Sequence, residues 1–427
     1  MNEVFSSGAR RAQEARGAQI VTFGCRLNAF ESEVLRERLA GTDGNVVIVN
    51  TCAVTAEATR QARQAIRKLR RENPRARIIV TGCAAQVDAP AFAAMPEVDR
   101  VVGNRAKLDP RALFEGERVS VPDVMAAGMD ATNAIPARFR SRARAFLQIQ
   151  QGCDHRCTFC IVPFARGASR SVPMESVADR ARALAAAGHA EVVLTGVDIS
   201  SWGADLTGRP SLGGLVRGLL AAVPELRRLR LSSLDPGVAD EELFRALAEE
   251  ERLMPHLHLS VQSLDDMILK RMKRRHGRAS ARAFVARARA ARPGVAFGAD
   301  LIAGFPTETE AMFENTLAGV AEFGFSFLHV FPYSPRPGTP AARMPEVPAR
   351  ERKIRAKRLR QAGAEALACF LRSRVGACAE VLAEGTGQGR APDWTPVRLA
   401  RAAPEGAIVP VRLARVADDA LVGEPLA

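Results

Sequence analysis

The chain has 427 residues, more than one hydrophobic core usually serves, so two or three domains are expected. Its 61 Lys and Arg against 47 Asp and Glu leave a formal charge of +14, most of it arginine, which points to a polyanionic partner such as nucleic acid. Eight cysteines are too few for a disulfide scaffold, no stretch approaches the roughly 18 apolar residues of a membrane span, and no leader with an apolar core opens the chain; a reduced, soluble, cytoplasmic protein with no membrane partner is the expectation.

Residues 1–17, MNEVFSSGARRAQEARG, lack an apolar run and read as a disordered extension. Over residues 18–118 one pattern recurs three times: an apolar run ends in a turn with a cysteine, and a helical pattern follows. The runs are AQIVTFGC, NVVIVNTC and ARIIVTGC. Continuous apolar strands alternating with helices predict a parallel α/β sheet, whose ligands gather beyond the carboxyl ends of the strands. Cys25, Cys52 and Cys83 all fall at that edge. A single such cysteine reads as an inert packing residue. Three at equivalent places read instead as a metal-ligand set, one thiolate short of four. In the helical stretch after Cys52, Arg60, Arg63, Arg67 and Arg70 share a face. Two readings stay open for it, a solvated basic surface and a phosphate-contacting one.

Residues 119–144 lose periodicity among Pro122, Gly128 and Pro136 and read as a linker. Across 145–370 six strand-like runs alternate with Ala-, Leu- and Arg-rich helical segments: AFLQIQQGC, EVVLTGVDIS, LRRLRLSSLDP, HLHLSVQS, VAFGADLIAGFP and FSFLHVFPYS. Six βα units predict a partial (β/α)6 barrel with its site at the carboxyl ends of the strands. Cys153, Cys157 and Cys160 follow the first strand directly. A [4Fe–4S] cluster on three thiolates leaves one iron open to an amino and a carboxylate group, both of which S-adenosylmethionine carries. The spacing C-x3-C-x2-C, with Phe159 before the last cysteine, resembles the signature of the radical S-adenosylmethionine enzymes. The competing reading is a zinc site completed by His155. Gly196, Ser232, Gln262 and Gly304 end later strands where cofactor contacts belong, although each also reads as an ordinary turn residue.

Residues 371–427 change to short alternating runs and predict a small five-stranded barrel of a kind common in nucleic-acid-binding modules. Trp394, Arg398 and Arg401 are its candidates for base stacking and phosphate contact. Cys369 and Cys378 are assigned to packing.

Taken together, TFGCRLNAFES, VNTCAVT, TGCAAQ, GCDHRCTFCIVPFARG and HVFPYSPRPGTPAA resemble the methylthiotransferases, in which a cluster-binding domain precedes a radical S-adenosylmethionine barrel and a small RNA-binding barrel, the TRAM domain. The likeness covers the chain from Ala18 onward. Phe164 replaces a customary Tyr and Ala84 a common aromatic. The resemblance implies two [4Fe–4S] clusters, on Cys25, Cys52 and Cys83 and on Cys153, Cys157 and Cys160. It also implies S-adenosylmethionine as methyl donor and radical source, and an electron donor such as a flavodoxin or ferredoxin. NTCAVTAEATRQARQAIRK is similar to the branch acting on N6-threonylcarbamoyladenosine in tRNA. The branches acting on isopentenyl-adenosine or on a ribosomal protein, and a non-catalytic iron–sulfur RNA-binding sensor, are the alternatives.

Overall fold

The computed structural model describes residues 18–42, 44–126, 139, 143–238, 240–385 and 387–426. The predicted extension 1–17 and most of the predicted linker, 127–138 and 140–142, lie outside the described residues. Contacts gather the chain into two compact units. The first takes the residues up to Arg138 with Gln150–Ser171 and Ser334–Thr339; the second takes Phe139–Ile149, Val172–Tyr333 and Pro340–Ala427. This division differs from the sequence boundaries at two places. The Cys153–Cys160 loop joins the first unit, and the small carboxy-terminal barrel joins the second.

In the first unit, β1 (Gln19–Thr22), β2 (Val46–Thr51), β3 (Arg77–Gly82), β4 (Arg100–Val102) and β5 (Val119–Ser120) form a five-stranded sheet in that order. All its pairings are parallel. β2 is buried on both faces, which is why it reads as a continuous apolar run rather than an alternation. The last strand falls inside the predicted linker, so that segment begins as sheet, and Val124 beyond it is buried. Helix α1 (Arg26–Arg38) starts directly after Cys25 and buries Leu27, Phe30, Val34 and Leu35. Helix α2 (Ala56–Glu72) is capped by Thr55, whose hydroxyl accepts from the Ala58 amide at 3.1 Å. Its stripe Ala62, Ile66 and Leu69 packs inward, and its arginines are left on the outer side.

In the second unit six strands follow one another in space as in the chain: Arg144–Gln148, Glu191–Thr195, Arg228–Leu231, His256–Gln262, Ala296–Ala303 and Phe325–Pro332. Their pairings are parallel, and bridges at Leu229–Leu253 and Leu234–Leu259 join the two three-stranded arcs. This is the predicted (β/α)6 arc. A 26-residue helix, Ala349–Arg374, leads to the small barrel, which closes from Cys378–Ala383, Gln388–Arg390, Pro396–Leu399, Ile408–Ala417 and Ala420–Pro425. Its interior is filled by Val381, Val397, Leu399, Val411, Leu413 and Leu421, with Leu371 of the long helix against them.

Three expectations for this region are corrected. Trp394 is 9% exposed and is not a platform for bases. Its ring stacks on His256 at 5.5 Å, with the guanidinium carbons of Arg144 and Arg230 each 4.7 Å from its centroid. Those arginines pair with the fully buried Glu191 at 2.8 and 2.9 Å, so the indole completes a desolvated charge cluster at the starts of the barrel strands. Cys369 and Cys378, assigned to packing, are both exposed. The buried stripe of the long helix runs through Leu359, Gly363 and Leu371, and Cys369 falls off it.

Candidate functional site

The parallel register of the first unit fixes the placement of its three cysteines. Cys52 and Cys83 follow the last residues of β2 and β3, and Cys25 lies three residues past β1, so all three share one sheet edge. Gly24 shows how closely the loops approach. A Cβ on it would lie 2.6 Å from the Cys52 sulfur, and its φ of +98° is one that residues with a Cβ rarely adopt.

The thiols are surrounded by buried donors. Arg166, at the end of the short helix Val162–Arg166, donates from Nε to the Cys83 sulfur at 3.2 Å. Its Nη1 meets Glu31 at 2.8 Å, and its Nη2 reaches Asn28 Oδ1 and Glu31. Lys107 Nζ donates to Glu31 and to Asn104, whose amide reaches Cys83 at 3.7 Å. The Val54 amide lies 3.5 Å from the Cys52 sulfur. Burial would raise the Glu31 pKa, but the charges of Arg166 and Lys107 outweigh it and bring it down to about 2. The Cys52 thiol is pushed up to about 12 by burial and by the neighbouring Cys25 and Cys83. Burial likewise raises Cys25, against the pull of Arg166. Two cations and one carboxylate therefore leave a positive remainder beside the buried sulfurs of Cys52 and Cys83, with Cys25 at the exposed rim of the set. Such a pocket opposes free thiolates through burial and through the repulsion of neighbouring sulfurs, and it fits an anionic, sulfur-rich metal cluster that binds thiolates directly.

The second cysteine loop belongs to the same unit. Cys153, Cys157 and Cys160 are each half-buried. The Cys153 amide donates to Gly167 O and the Cys160 amide to Cys157 O, both at 3.0 Å. Gly152 lets the loop turn: its φ is +75°, and a Cβ there would meet Ala168 O at 1.8 Å. Phe159 sits half-buried within the loop.

The remaining cofactor candidates lie in the second unit, at the carboxyl ends of four neighbouring strands. Gly196 directly follows Thr195, and Ser232 follows Leu231 and is buried. Gln262 ends its strand at φ +70°, and Gly304 follows Ala303 at φ +70° with its amide donating to Glu308 at 2.8 Å. A non-glycine residue held in the left-handed region, as Gln262 is, stores strain of the kind found at binding sites.

The arginines of α2 separate by their partners. Arg60 is exposed and tied to Glu57 through Nε at 2.8 Å, while Arg63 pairs with Asp88 at 3.2 Å and lies over the Phe92 ring. Arg67 is exposed, and Arg70 is engaged by Asp99 and the carbonyls of Ala76 and Glu97. Arg60, Arg63 and Arg67 line an open groove of about 440 Å³ in the first unit, joined there by Arg336 and Asp88. In the small barrel, Arg398 is exposed and pairs with Asp418 at 2.9 Å.

Sequence patterns missed Asn28, Glu31, Asn104, Lys107, Arg166 and Arg336. One signal was present: Cys25, Asn28 and Glu31 recur at three-residue spacing on α1, placing two polar residues in a stripe otherwise made of Leu27, Phe30 and Val34.

Residues 147–318 match the Radical SAM superfamily, and residues 18–103 match the Uncharacterized protein family UPF0004. The threonylcarbamoyladenosine tRNA methylthiotransferase MtaB of Rickettsia prowazekii is 51% identical over 384 residues, 89% of this chain and 91% of that protein. The tRNA-2-methylthio-N(6)-dimethylallyladenosine synthase of Erythrobacter litoralis is 37% identical, covering 96% of this chain and 97% of its own. Among solved structures, the radical S-adenosylmethionine methyltransferase TsrM of Kitasatospora setae aligns with a TM-score of 0.51 at 17% identity, covering 74% of this chain and 68% of its own, a likeness of fold. Among the described residues no helix is long and apolar enough to cross a membrane.

Proposed function

The chain belongs to the methylthiotransferase family of radical S-adenosylmethionine enzymes, and from that premise we propose that it converts N6-threonylcarbamoyladenosine beside the tRNA anticodon to its 2-methylthio derivative. Cys153, Cys157 and Cys160 would hold one [4Fe–4S] cluster, and Cys25, Cys52 and Cys83 a second. Bound there, the clusters and S-adenosylmethionine supply hydrogen abstraction at adenine C2 and the methylthio group that replaces it.

The chain's own residues do the rest. Arg166 and Lys107 offset the negative charge of a sulfur-rich group that Glu31 alone would repel. The strand ends at Gly196, Ser232, Gln262 and Gly304 would offer backbone and side-chain groups to S-adenosylmethionine, with Phe159 beside its cluster. Arg60, Arg63, Arg67 and Arg398 would meet RNA phosphates or the anionic modification. Reducing equivalents would come from a cytoplasmic carrier such as a flavodoxin or ferredoxin.

The observation that carries the substrate assignment is the 51% identity, across nine-tenths of its length, to a protein named for threonylcarbamoyladenosine. An arginine-lined groove supports it, because an isopentenyl group would gain nothing from guanidinium side chains. The test supplies stem-loop RNA bearing threonylcarbamoyl, isopentenyl or no group at the target adenosine. Turnover should favour the threonylcarbamoyl form. Preference for the isopentenyl form overturns the substrate assignment and leaves the family untouched.

A further inference from the structure

Four guanidinium groups face the groove on α2, and three have explained surroundings. Arg60 is spent on Glu57, Arg63 on Asp88 and the Phe92 ring with its Nε alone buried and unbonded, and Arg67 is in solvent. Arg336 is different. Its Nε and Nη2 are buried with no hydrogen-bond partner among the described residues, although the side chain lines the groove. The residue as a whole is half-buried, but buried guanidinium N–H groups left unbonded are expensive, and a fold that keeps them normally completes them with a ligand.

The segment that carries Arg336 is braced. Ser334 Oγ accepts from the Ala56 amide at 3.1 Å, at the first residue of α2. Thr339 donates to Arg336 O from both its amide, at 3.1 Å, and its hydroxyl, at 2.8 Å. Pro335 and Pro337 flank the arginine and restrict the backbone on either side. The backbone that carries the guanidinium is thus held in place before any ligand arrives, which lowers the entropy lost on binding. Burial depresses its pKa and the nearby Cys52 thiol acts in the opposite sense, so the group sits within electrostatic reach of the cysteine edge. It stays charged at any physiological pH and presents a planar fork that suits carboxylate and phosphate alike.

We propose that Arg336 is the oxyanion receptor of the groove and binds the substrate nucleotide next to the Cys52 edge. This rests on the reading that tRNA is the substrate. The oxyanion has two sources with the same chemistry: the carboxylate of the threonylcarbamoyl group and the phosphate of the nucleotide backbone. Arg60, singled out by the sequence pattern, is secondary because Glu57 already neutralises it.

The experiment measures binding of anticodon stem-loop RNA, with and without threonylcarbamoyl, to wild-type protein and to Arg336→Gln and Arg336→Lys at several salt concentrations. Iron content and far-UV circular dichroism are recorded for each variant. Losing the charge-assisted pair should weaken binding about tenfold or more for Arg336→Gln, with Arg336→Lys intermediate. A loss confined to the modified RNA assigns the carboxylate. An equal loss on both RNAs, with the salt slope reduced by about one, assigns the phosphate. Unchanged affinity for both RNAs, whatever happens to the iron content, overturns the proposal. Wild-type protein that binds the two RNAs equally and turns over neither would instead remove the tRNA reading on which it rests.

Discussion

Arg166 Nε lies 3.2 Å from the Cys83 sulfur while the same guanidinium holds the buried carboxylate of Glu31. A side chain from the second cysteine loop thus braces the pocket of the first triad, within one compact unit. Arg166 and Glu31 are each 2% exposed at the side chain, so neither can fall back on water if the other is removed. Arg166→Met should therefore cost about 3–5 kcal/mol, the usual penalty for stranding a buried charge. Denaturant unfolding would read it, and iron bound at the first triad should fall with it. Glu31 keeps Lys107 in that variant, so adding Glu31→Gln leaves the Lys107 ammonium as the unpaired buried charge and should restore little. The coupling of Arg166 with Glu31 is read from the double-mutant cycle, and single-variant costs that simply add would show that the pair is not coupled.

Glu191 gives the pH dependence of the second unit, which holds none of the six motif cysteines. Burial opposes its ionisation, but Arg230 and Arg144 prevail and bring its pKa down to about 2. The unfolded value is about 4.3. A depressed carboxyl stabilises the folded state fully above the unfolded pKa, and that contribution disappears as pH falls from about 4.3 through about 2. The amount at stake is on the order of 3 kcal/mol. Urea midpoints measured down this range should drop steeply for the wild type. Glu191→Gln should be less stable at neutral pH and flatter below about pH 4, and an equally steep acid limb in that variant would remove Glu191 as the cause.

The parallel sheet and the barrel arc were legible because their strands are buried on both faces and read as unbroken apolar runs, as in NVVIVNTC. β4 and β5 were not, since Arg100–Val102 and Val119–Ser120 carry too few residues to show a pattern. The cysteines were legible because thiols in a turn after a strand are distinctive. Glu31, Lys107 and Arg166 were hidden for the opposite reason: charged residues ordinarily lie at the surface, and only tertiary pairing reveals three of them buried together. Trp394 misled because a tryptophan among arginines matches both a base-stacking surface and a cation–π cluster. Its partners Arg144, Arg230 and His256 lie far earlier in the chain, where no local pattern connects them to it.

The burial of Trp394 separates stability from RNA binding in the small barrel. Trp394→Ala removes a large ring from between two arginines and His256, a change expected to cost about 3–5 kcal/mol and to lower the Tm by about 10 °C. The folded protein should keep its RNA affinity. Arg398 and Arg401 are exposed, and an exposed pair such as Arg398 with Asp418 contributes little to stability. Replacing both arginines with Ala should weaken tRNA binding and flatten its salt dependence while leaving the Tm in place. Loss of RNA affinity by Trp394→Ala at a temperature where it is fully folded would return the indole to the RNA surface.

The two cysteine triads should separate by function even though one unit contains both. Anaerobically reconstituted protein should bind about eight irons, four at each triad. Changing Cys153, Cys157 and Cys160 to Ala leaves Cys25, Cys52 and Cys83 with Arg166 and Lys107 beside them, so about half the iron should remain. Formation of 5′-deoxyadenosine should stop, because the thiolates that would hold the S-adenosylmethionine-reducing cluster are gone while those of the other triad remain. The reciprocal change removes sulfurs at the ends of β2 and β3 and leaves the backbone bonds from Cys153 to Gly167 and from Cys160 to Cys157 intact. That variant should also keep about half the iron and should still form 5′-deoxyadenosine, while its methylthio product disappears. Arg166 links the outcomes: its Nε would lose the Cys83 acceptor in the second variant but keep Glu31 and Asn28, so the loop should stay folded. Methylthio product from the variant lacking Cys25, Cys52 and Cys83 would reduce the first triad to a structural role. Iron near four in the unmodified protein would leave only one of the two sites as a cluster.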